Sequence, residues 1–171
     1  MPLVEGLLET AAKDRTTVHG WCLSGLVSGV RVNVRVVNKS VGTGGGGHHE
    51  TQVEALFDPP LELGLKITNE GLVSRMAQKL TGRHDLQTGN LELDNLIHVK
   101  AESPDAAQSL LADLDVQQRL LDAYRAYPSP TITDKGAALA HYGFEKDLDV
   151  LKKSLDAVAG LVSALSPRKS A

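Results

Sequence analysis

The residues best equipped for chemistry gather in one short run, Gly42-Thr43-Gly44-Gly45-Gly46-Gly47, followed at once by His48-His49-Glu50. A glycine-rich turn invites a phosphate-binding reading, because bare backbone amides can approach an anion closely. The full phosphate loop needs Gly-Lys-Ser/Thr after its glycines and a helix beginning there. Here two histidines and a glutamate follow, and the next residues alternate as a strand, so both the lysine and the helix dipole are missing. The expectation is a long flexible hairpin loop that holds no ligand tightly. His48, His49 and Glu50 are metal-competent by type, but adjacent strand residues point to opposite faces, so the two histidines do not readily share an ion. His84, Asp85, Asp94 and His98 would make an acid–base or metal site only if the fold gathered them. No HxxxH, HExxH or cysteine pair is present, so the spacing of a structural zinc site is absent.

Nucleophilic catalysis needs an activated Ser or Cys beside a placed base. Cys22 lies in an apolar, β-like stretch next to Trp21 and reads as a buried, inert thiol. No GxSxG elbow occurs. Arg31 and Arg35 share the polar side of an alternating strand and, with Lys39, offer a small cationic patch; solvated sheet charges that discourage edge pairing explain them as well. The sequence therefore assigns no catalytic residue, no cofactor-binding residue and no metal ligand.

The elements around these residues follow from periodicity. Residues 2–13 place Leu3, Val4, Leu7, Leu8, Ala11 and Ala12 at helical spacing, so residues 1–14 are expected to carry a short N-terminal helix. Residues 16–27 are β-like but irregular, and Ser28-Gly29 marks a tight turn. Residues 30–37 alternate strictly: Val30, Val32, Val34 and Val36 face one way, Arg31, Asn33 and Arg35 the other. One dry and one wet face favours an antiparallel sheet. Residues 50–57 alternate again, and the two strands are expected to pair as a hairpin. Leu61, Leu63, Leu65 and Ile67 predict a fourth strand. Leu72, Val73, Met76, Ala77 and Leu80 predict a helix over 71–80, ended by Thr81-Gly82. Residues 83–94 read as polar turns and 96–102 as a strand.

Ser103-Pro104-Asp105 is a helix start, with a capping hydroxyl, a proline at the first position and a carboxylate at the positive end. Ala107, Leu110, Leu111 and Leu114 continue that helix, and Gln118, Leu121 and Tyr124 carry a second piece until Pro128-Ser129-Pro130. Residues 132–142 read as a hairpin turning at Asp134-Lys135-Gly136. Residues 145–165 predict a long C-terminal helix, with Leu148, Leu151, Leu155, Val158, Val162 and Leu165 on one stripe.

Composition bounds the rest. A chain of 171 residues suits a single domain, residues 1–171, and 42% hydrophobic residues suffice for its core. Aromatics are only 4%, which disfavours a base-stacking platform. A net charge of −3 disfavours general nucleic-acid binding. No apolar run approaches the roughly 18 residues of a membrane span, no signal peptide is legible, and the single cysteine fits a reducing compartment. The expectation is a soluble, cytoplasmic protein, with its oligomeric state left open.

LELGLKITNEGLVSRMAQKLTG, TGNLELDNLIHVKA and SPDAAQSLL resemble the strand–helix–strand–helix core of a group of uncharacterised bacterial proteins. The shared pieces are Leu63-Gly64-Leu65, Thr88-Gly89, Asp94 and the 104–111 helix; Leu93 and Ile97 stand where that pattern has aromatics. The resemblance implies an α+β domain and no activity, cofactor or catalytic residue. Together the readings predict a mostly antiparallel sheet of five to seven strands with helices packed on one face, or alternatively a pleckstrin-homology-like barrel with inserted helices. The functional expectation is a non-enzymatic protein-interaction or scaffold module whose partner is another protein. A small-molecule or lipid-headgroup sensor is the alternative, and an enzyme built on His84, Asp85, Asp94 and His98 is a third.

Overall fold

The computed structural model describes residues 7–8, 11–14, 22–41, 46–69, 86–127 and 130–166. Within them lie eight strands and four helices: β1 (Ala11–Asp14), β2 (Cys22–Val27), β3 (Val30–Val41), β4 (Gly46–Leu56), β5 (Lys66–Asn69), α1 (Leu91–Leu96), β6 (Ile97–Lys100), α2 (Pro104–Leu111), α3 (Leu114–Ala126), β7 (Thr131–Thr133), β8 (Gly136–Tyr142) and α4 (Leu148–Leu165). The strands form one open antiparallel sheet in the order β1-β2-β3-β4-β8-β7-β5-β6. The fold is thus α+β, and its open sheet excludes the barrel alternative. The sheet has one strand more than the upper expectation of seven. That strand is β1, taken from the segment expected to be helical: Ala11–Asp14 pairs with β2 instead of ending a helix. The expected helix at 71–80 lies outside the described residues.

The valine alternation works as the pattern requires. Val32, Val34, Val53 and Ala55 are fully buried, and β3 pairs with β4 in the register Val34↔Val53. Pairing continues to Val41↔Gly46, so the connector is shorter than the loop expected from the glycine run, and its four residues 42–45 lie outside the described residues. Ser28 and Gly29 both have positive φ, 50° and 76°, which is the two-residue turn that matches strand twist.

The stretch 61–67 is strand only from Lys66 onward. Glu62 and Gly64 both have positive φ (55° and 62°), which breaks the extended alternation before β5 begins. Asp134 holds this irregular segment: its carboxylate accepts the amides of Gly64 and Leu65 at 2.7 and 2.8 Å, and its carbonyl accepts the amide of Leu61 at 3.0 Å.

The polar turn expected up to Asp94 contains α1, capped by Asn90, whose side chain accepts from the amides of Glu92 and Leu93. The start of α2 is at Pro104 as expected, but Ser103 makes no side-chain capping bond; its amide donates to Leu63 O at 3.1 Å instead. Leu114 does not extend the apolar stripe of α2. It opens α3, capped by Asp113, and is 78% exposed.

Among the described residues the core lies between one sheet face and the helices. The helix α4 packs across β2, β3, β4 and β8, and α3 packs on α4. Leu151, Leu155, Val158, Leu161, Val162 and Leu165 of α4 are each at most 3% exposed. Burial of each is worth about 1.5–3 kcal/mol gross, together on the order of a domain's entire net stability. The C-terminal helix starts at Leu148, capped by Asp147, a few residues later than expected.

Candidate functional site

Strand alternation sends every second side chain to the face opposite the helices. Register fixes which residues meet there. One row across the sheet reads Ser24, Asn33, Glu54, Ala138 and Thr131. The next, toward the C-terminal end of β8, reads Cys22, Arg35, Gln52 and Ala140. On the other side the row reads Leu56, Gly136, Thr133, Lys66 and Lys100. None of the described helices packs on this face. Small side chains on β8 and β7 lie beside the taller residues of β3 and β4, and the result is a trough of about 470 Å³ bordered by Asn33, Glu54, Thr131, Thr133, Lys135 and Ala138.

Gly136 makes the floor possible. Its φ is +156°, and a Cβ there would meet the Ala55 carbonyl oxygen at 2.0 Å, so two backbones touch where any side chain would clash. At the other end of β8, Tyr142 is 84% exposed and stacks on His48 with ring centroids 4.8 Å apart. The rim on β3 and β4 is tied together by Arg35, which donates to Gln52 Oε1 at 2.9 Å and to Glu54 Oε1 at 2.7 Å. Arg35 and Glu54 offset each other's charge on that rim.

The sequence-predicted candidates fall as follows. His48 and Glu50 project on the face that is uncovered among the described residues and His49 on the other, as alternation demands. Glu50 is buried and accepts from Gln52 Nε2 at 2.6 Å. His84 and Asp85 lie outside the described residues. Asp94 is occupied by Thr88, whose amide and hydroxyl both donate to its Oδ1 at 2.7 Å. His98 sits on β6 opposite Thr68. Asp94 thus locks a turn. Gln117 extends the same lock by donating to Thr88 O and Leu111 O at 3.1 and 2.9 Å. Cys22 is half-buried rather than buried, since it faces the uncovered side of β2, next to Ser24 Oγ at 3.9 Å. Arg31 and Arg35 do not form a free cationic patch, because each faces a carboxylate, Asp58 at 3.8 Å and Glu54 at 2.7 Å. Among the described residues there is no group of three or more His, Cys, Asp or Glu placed to hold a metal ion.

One pair that sequence reading missed is His141 with Ser154, Nε2 to Oγ 2.8 Å. Its signal was available: Ala137, Leu139 and His141 share the inward phase of β8. The pair looks like half of a hydrolytic triad, yet its geometry is that of a brace. Ser154 is fully buried on α4, and its hydroxyl lies 2.8 Å from Val150 O as well as from the imidazole, so it bridges β8 to its own helix. Tyr127 packs edge-on against the same ring, 5.9 Å between centroids. Thr51 makes a second brace, donating to Gly143 O and accepting the Glu145 amide, both at 2.9 Å. These contacts fasten the end of β8 to the sheet and to the final helix.

No helix among the described residues is long and apolar enough to cross a membrane. Compared with family models, with curated proteins and with solved structures, the chain matches none.

Proposed function

We propose that the chain is a non-enzymatic interaction module that engages a partner protein through the uncovered face of its sheet. One observation carries the reading. Every described helix lies on one side, while the other side presents a formed trough with a polar rim. Small residues at Gly136, Ala138, Ala140 and Thr131 admit close approach of another chain. The stacked Tyr142–His48 pair supplies an exposed aromatic contact of the kind enriched at interfaces. The polar groups within the described residues that could have formed a catalytic centre, Asp94 and the His141–Ser154 pair, are engaged in structural bonds. A cytoplasmic setting in a bacterium belongs to the same proposal, supported by the single cysteine and the sequence resemblance.

A small-molecule or lipid-headgroup sensor is the second reading, favoured by the trough's volume, which falls within the range of ligand pockets. Filling the trough tests the first reading. Ala138→Trp should leave the melting temperature unchanged and abolish co-purification of the partner from the native host. Gln108→Trp, on exposed α2, should leave capture intact. Equal loss in both, or in neither, would contradict the proposal.

A further inference from the structure

We infer that the partner of this face is an acidic, extended protein segment held by Lys66, Lys100 and Lys135, an inference that rests on the interaction-module reading above. Lys66 and Lys100 stand directly opposite one another in the β5–β6 pair, both exposed on the uncovered face. Directly opposed residues in an antiparallel pair have Cβ atoms about 4.5–5.5 Å apart, and like charges there are destabilising. Thr133 stands opposite Lys66 on the other side, and Lys135 borders the trough beside it. Lys135 and Thr133 thus line one end of a trough built from small side chains, and Lys66 and Lys100 continue the same sheet row beyond it.

Among the described residues these three lysines have no ion pair. The arginines are different. Arg31, Arg35, Arg119 and Arg125 each face a carboxylate, namely Asp58, Glu54, Asp115 and Glu92. Two carboxylates near the lysine row are already committed: Asp134 binds the Gly64 and Leu65 amides, and Glu54 binds Arg35. The Glu102 side chain packs over Gly64. Edge protection accounts for Lys100, because lysine on an edge strand discourages pairing with another chain. It does not account for Lys66, which sits on an interior strand between β7 and β6. The like-charge cost at Lys66–Lys100 is relieved by an anion lying across both. A bare anion would use the lysines and leave the trough empty. An extended segment uses both, since alternate side chains on one of its faces recur every 6.5–7 Å or so and its backbone fits against Ala138 and Thr131.

The test is fluorescence anisotropy of the full chain with dye-labelled peptides of alternating Glu-Val, Gln-Val or Lys-Val sequence. The Glu-Val peptide should bind. Its affinity should fall about 5- to 10-fold in the Lys66→Gln/Lys100→Gln double variant, as expected for two exposed ion pairs. It should fall further as salt rises from about 50 to about 300 mM. Ala138→Trp should weaken it as well. Equal binding of the Glu-Val and Gln-Val peptides, or an unaffected double variant, overturns the inference. So does competition by inorganic phosphate as effective as competition by unlabelled Glu-Val peptide, which would mark a bare anion site. Binding to phosphatidylserine vesicles without peptide binding overturns it too, in favour of a membrane surface. If the Glu-Val peptide fails while capture of the host partner is still lost in Ala138→Trp, the acidic-segment inference falls and the module reading stands. If partner capture ignores Ala138→Trp, the module reading itself falls.

Discussion

Replacing Asp134 tests whether one side chain holds the irregular lead-in to β5. Its carboxylate accepts the amides of Gly64 and Leu65 at 2.7 and 2.8 Å, across about seventy positions of sequence. Hydrogen bonds to a charged group contribute about 1.5–3 kcal/mol each. Asp134 is half-buried, so solvent screens part of that, and the lower end applies. Asp134→Ala orphans both amides, and the expected loss is about 2–4 kcal/mol. For a chain of this size that lowers the melting temperature by roughly 5–12 °C. Asp134→Asn keeps the shape but offers one acceptor oxygen and turns an amino group toward the second amide, so it should recover less than half of the loss. Urea unfolding followed by circular dichroism gives both values at constant slope. The Leu61 amide bonds to the Asp134 carbonyl, which neither substitution removes. The effect therefore isolates the carboxylate. A loss below about 0.5 kcal/mol in Asp134→Ala, the range of ordinary surface changes, would show that the carboxylate does not hold this segment.

Tyr124 Oη is buried with no hydrogen-bond partner among the described residues, so Tyr124→Phe should stabilise by about 1 kcal/mol, read as a higher urea midpoint. Burial also pushes the Tyr124 phenol up: the unfolded chain releases that proton at about pH 10 while the fold retains it, so wild-type stability falls as pH rises beyond that point. Tyr124→Phe should flatten that alkaline slope in unfolding curves. Gly136→Ala must push a methyl group into the Ala55 carbonyl and should cost about 2–4 kcal/mol by thermal melting, with Gly89→Ala, where a Cβ meets nothing within 4 Å, costing less. Ending the chain after Phe144 removes α4 and uncovers the apolar face of four strands, so the product should aggregate or lose cooperative melting on gel filtration and calorimetry.

Strict alternation made β3 and β4 legible, because period-two valines can bury only one way. The stripe of α4 was legible for the same reason at period 3.6. What escaped was decided by tertiary contacts. The apolar positions of residues 3–12 fit a helix, yet Ala11–Asp14 joins the sheet because β2 offers an edge. Leu61 and Leu63 alternate like a strand, but positive φ at Glu62 and Gly64 and the distant Asp134 carboxylate fix another path. Leu114 completed a helical stripe on paper, while Asp113 capped a new helix one residue earlier.

The candidate site was legible only in pieces. Alternation gave the phase of Arg35, Gln52 and Glu54, but nothing local announces that β8 and β7 lie beside β4. The trough exists only because the order β4-β8-β7 brings Glu54, Ala138 and Thr131 together. For His48 and His49 alternation alone was enough: adjacent strand positions send them to opposite faces, and β4 carries them so.

The most direct test of the central claim is site-resolved photo-crosslinking in the native host. A photoreactive amino acid is placed in turn at Thr131, Ala138 and Ala140 on the uncovered face, and at Gln108, Gln118 and Lys153 on the exposed helical side. One discrete protein adduct is expected from the first three positions and none from the second three. Adducts from the helical side alone, or equal yields from both sides, would contradict it.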